Sequence, residues 1–177
     1  MSGPLQDRDL RSPHPFDRWH IYQGRSNDCG PACIAIVANT LRGASVTGVD
    51  VLSQALVEAR PLPGRVRRWA TFPWGMARAF RDLGFHARWR VGVSAGRLRK
   101  NLLAGRATVL LVGRPLRVVQ GRWRGWAHYK VLYSWAPHGE WGFVDPAVAS
   151  PPVIHQPARA LRTDWNWLGR QSVEVWA

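Results

Sequence analysis

Acidic side chains are scarce in this chain. Only 11 Asp and Glu stand against 25 Lys and Arg in 177 residues, a formal net charge of +14. Arginine carries nearly all of it, since Lys100 and Lys130 are the only lysines. Such a surface suits an acidic peptide, nucleic acid or anionic lipid, and equally suits plain solvation; it carries no information about fold. No known nucleic-acid-binding motif is present, so nucleic acid is not the favoured partner. Cysteine is scarce as well. Cys29 and Cys33 lie four apart on one expected helix, which is poor geometry for a disulfide. Their spacing is not a zinc pairing and no second pair completes such a site. No apolar run reaches the length of a membrane span, and residues 1–20 lack the apolar stretch of a secretory signal. The expectation is a soluble, cytoplasmic protein without a membrane partner. Nothing in the composition sets an oligomeric state.

With no internal repeat or low-complexity linker, and 46% hydrophobic residues, the chain reads as one domain. Residues 1–19, with Pro4, Pro13 and Pro15 among polar neighbours, read as a flexible arm, and residues 20–177 as the domain. A first helix is expected from Cys29 to Leu41. Asn27 or Asp28 caps it, Pro31 suits its first turn and Gly43 ends it. Its body, Ala32 to Ala38, is apolar all round and should be buried on most sides. A second helix starts at Thr47 and stops before Pro61; a third covers Pro73 to Leu83; Ser94 caps a fourth that Gly105 closes. Phe85 to Val93 alternates apolar and polar residues as a half-buried strand does, and Ala107 to Val112 reads as a short buried strand. The last third is strand-rich: Trp126 to Trp135 and Trp141 to Asp145 flank a turn, and Ser172 to Trp176 alternates again. Helices first and strands last give an α+β class with an antiparallel sheet. The 11 tryptophans read mostly as core.

Residues 23–33, Gln-Gly-Arg-Ser-Asn-Asp-Cys-Gly-Pro-Ala-Cys, carry the chemistry. They place Cys29 at a helix N-terminus, where unpaired N–H groups and partial positive charge favour a nucleophilic thiolate. Gln23, six residues upstream, offers a side-chain N–H beside the Cys29 backbone N–H, two donors for an oxyanion. Cys33 reads as a buried core residue. A cysteine nucleophile needs a base and a group to orient it. Of six histidines, His128 is the one early in an apolar strand, Ala127 to Leu132. Asp145 closes the next strand, with Pro146 holding it extended. The two stand directly opposite if the hairpin turns between Ala136 and Pro137. Asp145 alone would read as a strand-end Asx turn.

The order Gln…Asp-Cys-Gly-Pro-Ala-Cys, then His128-Tyr129, then Asp145-Pro146, resembles the peptidase C39-like group of papain-fold cysteine peptidases over residues 20–177. That group includes peptidases that cut bacteriocin precursors after double glycine. The resemblance implies a papain-like fold, with N-terminal helices packed on a C-terminal antiparallel sheet. It implies a cysteine peptidase or amidase acting on a peptide or protein substrate, with processing of a peptide precursor as one such task. In it Cys29 is the nucleophile, His128 moves the proton, Asp145 orients the imidazole and Gln23 donates to the oxyanion, and no metal or organic cofactor is required. Unlike the transporter-fused members, this sequence shows no membrane region and no phosphate loop, so a free-standing domain is expected. Lys130 departs from the apolar residue expected after His-Tyr. It either faces the cleft with His128, lowering the imidazole pKa, or points outward at a bulge. Trp165 and Trp167 shield the catalytic pair or pack in the core. The alternative to a hydrolase is an acyl-transferring or catalytically silent papain-like module, binding an acidic peptide or nucleic acid through its basic surface. Arg65–Trp69 and Arg114–Arg124, the latter interleaved with Trp123, are the candidate stretches. A basic surface that steers an acidic substrate to Cys29 joins the two readings.

Overall fold

The apolar run of the first helix becomes the spine of the molecule. In the computed structural model, which describes residues 8–119 and 121–177, α1 spans Cys29–Arg42 and every residue from Gly30 to Thr40 is buried. An all-apolar helix has no face to give to water, so it must be enclosed. Gly43, in the left-handed conformation, ends it. Around it lie α2 (Val49–Glu58) and α3 (Pro73–Asp82), joined by a small hairpin of β2 (Arg65–Val66) and β3 (Ala70–Thr71).

These elements pack on one face of a seven-stranded antiparallel sheet. Its strands are β4 (His86–Arg90), β9 (Ser172–Trp176), β5 (Ala107–Val119), β6 (Arg122–Ala136), β7 (Glu140–Val144) and β8 (Val153–Pro157), in that spatial order, with β1 (Leu10–Arg11) added against β6. Alternation divides the sheet residues between two cores. Val109, Leu111, Tyr129, Val131, Val144 and Val173 join the α1 side. Leu110, Val112, Leu132 and Phe143 join the other, which α4 (Ala95–Leu103) covers with Leu98 and Leu102, and α5 (Ala158–Asn166) with Leu161 and Trp165. The Ser94 side chain accepts the Arg97 N–H, as its capping position predicts. No helix among the described residues is long and apolar enough to cross a membrane.

Three expectations change. The α+β class with an antiparallel sheet holds, but helices cover both faces, and β1 and β4 bring N-terminal chain into the sheet. The arm expected over residues 1–19 is not loose where it is described. Leu10 and Arg11 pair with Trp135 and Ser134, and Phe16, in a short 3-10 helix at Phe16–Trp19, is fully buried. Residues 1–7, with Pro4, lie outside the described residues. The β6–β7 turn is also centred later than a directly opposed pair requires, on His138 and not between Ala136 and Pro137. Ala136 pairs with Glu140, and Gly139, at φ +90°, closes a three-residue loop. A shift in register between Leu132 and Ser134 follows, after which Val131 faces Val144. Asp145 thus comes level with Lys130, not His128.

Candidate active site

The later turn and the register shift move His128 and Asp145 from opposite to diagonal positions, and a diagonal pair is still within reach of an imidazole. His128 Nε2 lies 2.6 Å from Asp145 Oδ1, both side chains largely buried. The same carboxylate oxygen accepts the Ala147 N–H at 2.8 Å, so the Asx turn and the histidine pairing coexist and fix the carboxylate from two sides. The Cys29 side chain lies close enough to the imidazole to favour its charged form. Burial alone would lower the His128 pKa; the hydrogen bonds and charges of Asp145 and Cys29 outweigh it and push the value up to about 9. Burial would raise Asp145, but the His128 contact, the Ala147 N–H and the charge of Lys130 hold it below its ordinary value.

Cys29 is half-buried at the first position of α1, and Cys33, one turn on, is fully buried, which pushes its thiol well above the ordinary range. Asp28 occupies the helix N-cap but makes no side-chain cap. Its carboxylate is held at 2.5 Å by Arg65, a guanidinium 2% exposed that also donates to Thr71 Oγ1. The cap is therefore drawn aside from the helix end, and the aspartate charge beside the sulfur is paired. Gly30 permits the close approach this needs: a Cβ there would sit 2.5 Å from the Cβ and Oγ1 of Thr71. Tyr129, buried next to His128, donates its hydroxyl to the Thr71 carbonyl. Arg65 was expected in an exposed binding stretch; its burial removes it from that role. Its partner lies 37 residues away in a segment without periodicity, so no local signal marks the pairing.

Gln23 is placed near this segment but not joined to it. Its backbone N–H donates to the Pro146 carbonyl at 2.8 Å, and its side-chain Nε2 to the Ser26 carbonyl at 3.1 Å. Its Oε1 is buried without a hydrogen-bond partner. His20 bonds the Asp145 carbonyl through Nε2 at 3.0 Å. Lys130 takes neither expected position. It is buried, its Nζ bonds Gln156 Oε1 at 2.6 Å and stands over the Phe143 ring, and burial lowers its pKa. Its charge helps hold the Asp145 carboxyl below its ordinary value. Trp165 packs in the second core, its Nε1 donating to the Gln171 carbonyl, while Trp167 is exposed. Among the described residues, no group of three or more His, Cys, Asp and Glu could hold a metal ion.

Comparison with solved structures decides the architecture. A protein from Bacillus anthracis, described as a C39-like peptidase, superposes with a TM-score of 0.72 over 97% of this chain and 98% of its own, at 13% identity. The chain has the C39-like peptidase fold. Two other solved structures of this fold give lower TM-scores. A double glycine motif protease from an AMS/PCAT transporter, solved with its leader peptide, gives a TM-score of 0.59 at 16% identity over 94% of this chain and 93% of its own. The peptidase domain of Streptococcus mutans ComA gives 0.54 at 18% identity over 90% and 99%. No family model and no curated protein matches the sequence. At these identities the C39-like likeness is one of fold, and the chemistry rests on the residues described above.

Proposed function

We propose that the chain is a cysteine peptidase or amidase that cleaves a peptide bond through Cys29, His128 and Asp145. The observation that carries this is the imidazole bonded to the Asp145 carboxylate at 2.6 Å, with Cys29 close to it at a helix N-terminus. In this reading the Cys29 sulfur, its proton passed to His128, attacks the carbonyl carbon of the substrate. The carbonyl oxygen takes the electron pair and is stabilised by the Cys29 backbone N–H. The intermediate collapses to a thioester, and the imidazolium gives its proton to the departing amine. Water, deprotonated by His128, then hydrolyses the thioester and releases the acid. Asp145 holds the imidazole with Nε2 toward itself and Nδ1 toward sulfur, and stabilises the imidazolium.

Gln23 is the proposed second oxyanion donor. It fills that role when its amide turns, so that an N–H replaces the buried Oε1 that now lacks a partner. The substrate is a peptide or protein, a reading the leader peptide bound to one structural neighbour supports. The test is a diverse peptide library incubated with the protein and read by mass spectrometry. Cleavage that disappears in Cys29→Ala is the expected result. An inert wild-type chain that also resists thiol-reactive peptide probes overturns the proposal. Products carrying an added amine in place of water would assign the same thioester to acyl transfer.

A further inference from the structure

The β5–β6 ribbon extends well past the sheet. β9 pairs with β5 only as far as Leu110, and β7 pairs with β6 only from Val131 onward. Beyond that point, from Val112 to Val119 and from Arg122 to His128, the two strands pair with each other alone. Among the described residues, the outer edge of β6 therefore presents unpaired backbone groups that lead to His128. Strand alternation puts Arg122, Arg124, Trp126 and His128 on one face. Arg122, Arg124 and Trp126 are all exposed. Arg124 stands in register opposite Arg117, and Trp126 opposite Arg114. Like charges directly opposite in a ladder repel, and the sequence has no Asp or Glu between Asp82 and Glu140 to offset them. Among the described residues, Arg114 reaches one carboxylate, Asp164 of α5 at 3.7 Å, while Arg117, Arg122 and Arg124 have no ion pair. The Trp123 side chain, expected to interleave with these arginines, lies outside the described ones.

We infer that this ribbon is a docking strip for an acidic, extended segment of the peptide substrate. The inference rests on the peptidase reading. The segment adds to the free edge of β6 and sets carboxylates at alternate residues over Arg124, Arg117 and Arg122, with a side chain against Trp126. At ~3.4 Å per residue, Arg124 lies about 14 Å and Arg122 about 20 Å along the strand from His128. The acidic positions thus fall about four to six residues from the scissile bond, on one side of it. A peptide is favoured over nucleic acid because an open strand edge exchanges main-chain hydrogen bonds with another backbone, and the row of charges ends at the imidazole.

The experiment uses the full-length Cys29→Ala protein and fluorescein-labelled (Glu-Ala)5, (Gln-Ala)5 and oligo(dT), read by anisotropy over a salt series. The expected result is salt-sensitive binding of the glutamate peptide, none of the glutamine peptide, and about a tenfold loss in R117E/R124E. The milder R124Q, with an unchanged melting temperature, keeps the result separate from misfolding. Equal binding of both peptides, or no effect of charge reversal, overturns the inference. So does tighter binding of oligo(dT), which would assign the ribbon to nucleic acid, or binding of no probe, which would leave the arginines as guards of an open edge. Probe labelling of Cys29 in the wild type and in R117E/R124E is measured alongside. Absent labelling with intact peptide binding would fail the peptidase reading alone.

Discussion

At the scale of single residues, two cysteines on one helix have opposite environments. Cys29 is partly exposed beside His128; Cys33 is fully enclosed, and burial disfavours its thiolate. Iodoacetamide on the folded protein should modify Cys29 alone, with Cys33 reacting only after denaturation; tryptic mass mapping reads this directly. The imidazole gives a pH prediction. Its folded pKa of about 9 lies above the ordinary 6.5, so its ion pair stabilises the fold fully below about pH 6.5 and is lost as pH rises through about 9. That shift corresponds to about 3 kcal/mol. The melting-temperature gap between wild type and His128→Gln should therefore shrink from pH 6 to pH 10. The alkaline limb of any cleavage activity should follow the same ionisation and move to lower pH in Asp145→Asn. The Asp28–Arg65 pair separates position from charge. Arg65→Met leaves a carboxylate unpaired beside the sulfur and should cost about 3 kcal/mol, with slower alkylation of Cys29. Adding Asp28→Asn should restore the alkylation rate; continued slow alkylation would mean that Arg65 acts only through packing.

At the scale of elements, the docking of the β2–β3 hairpin on the start of α1 is what holds Cys29 in place. Gly30→Ala drives a methyl group into Thr71. It should destabilise the protein by about 2 kcal/mol and lower Cys29 reactivity, with part of both recovered by Thr71→Gly; chemical denaturation and alkylation kinetics measure the two effects. Elements were legible in the sequence where one physical signal dominated. The apolar run Ala32–Ala38, bracketed by Asp28 and Gly43, marks α1 to within one residue of its observed end. The meeting of His128 with Asp145 was legible as a pair, because so few acids compete for the histidine, but not in its register. The three-residue loop closed by Gly139 and the shift near Tyr133 leave no periodic trace. The length of β5 and β6 was hidden for a related reason. Their outer halves pack on no core, so arginines replace the alternation that marks a strand. Arg65 was misread because a buried charge looks like an exposed one until its partner is known.

At the scale of the whole molecule, the N-terminal segment closes the structure instead of trailing from it. Leu10 and Arg11 extend the sheet beside β6, Tyr133 donates its hydroxyl to Asp17 at 2.9 Å, and His14 Nε2 bonds the Gly105 carbonyl at 2.9 Å. Phe16 enters the same core as α1, Val131 and Val144, and His20 reaches the Asp145 carbonyl behind the imidazole. Prolines and polar residues at its start disguise this strap as a loose arm. Two residues of strand, one buried ring and single scattered hydrogen bonds hold it, and none of these leaves a periodic pattern. Phe16→Ala removes a fully buried ring and should cost about 3–5 kcal/mol. Deleting residues 1–19 should lower the melting temperature at least as much, and should also raise hydrogen exchange at Asp145–Ala147, because the chain that positions His20 is gone. Deleting residues 1–7 alone provides the comparison. If the two deletions melt alike, residues 8–19 contribute nothing to the fold and the loose arm expected from the sequence is right.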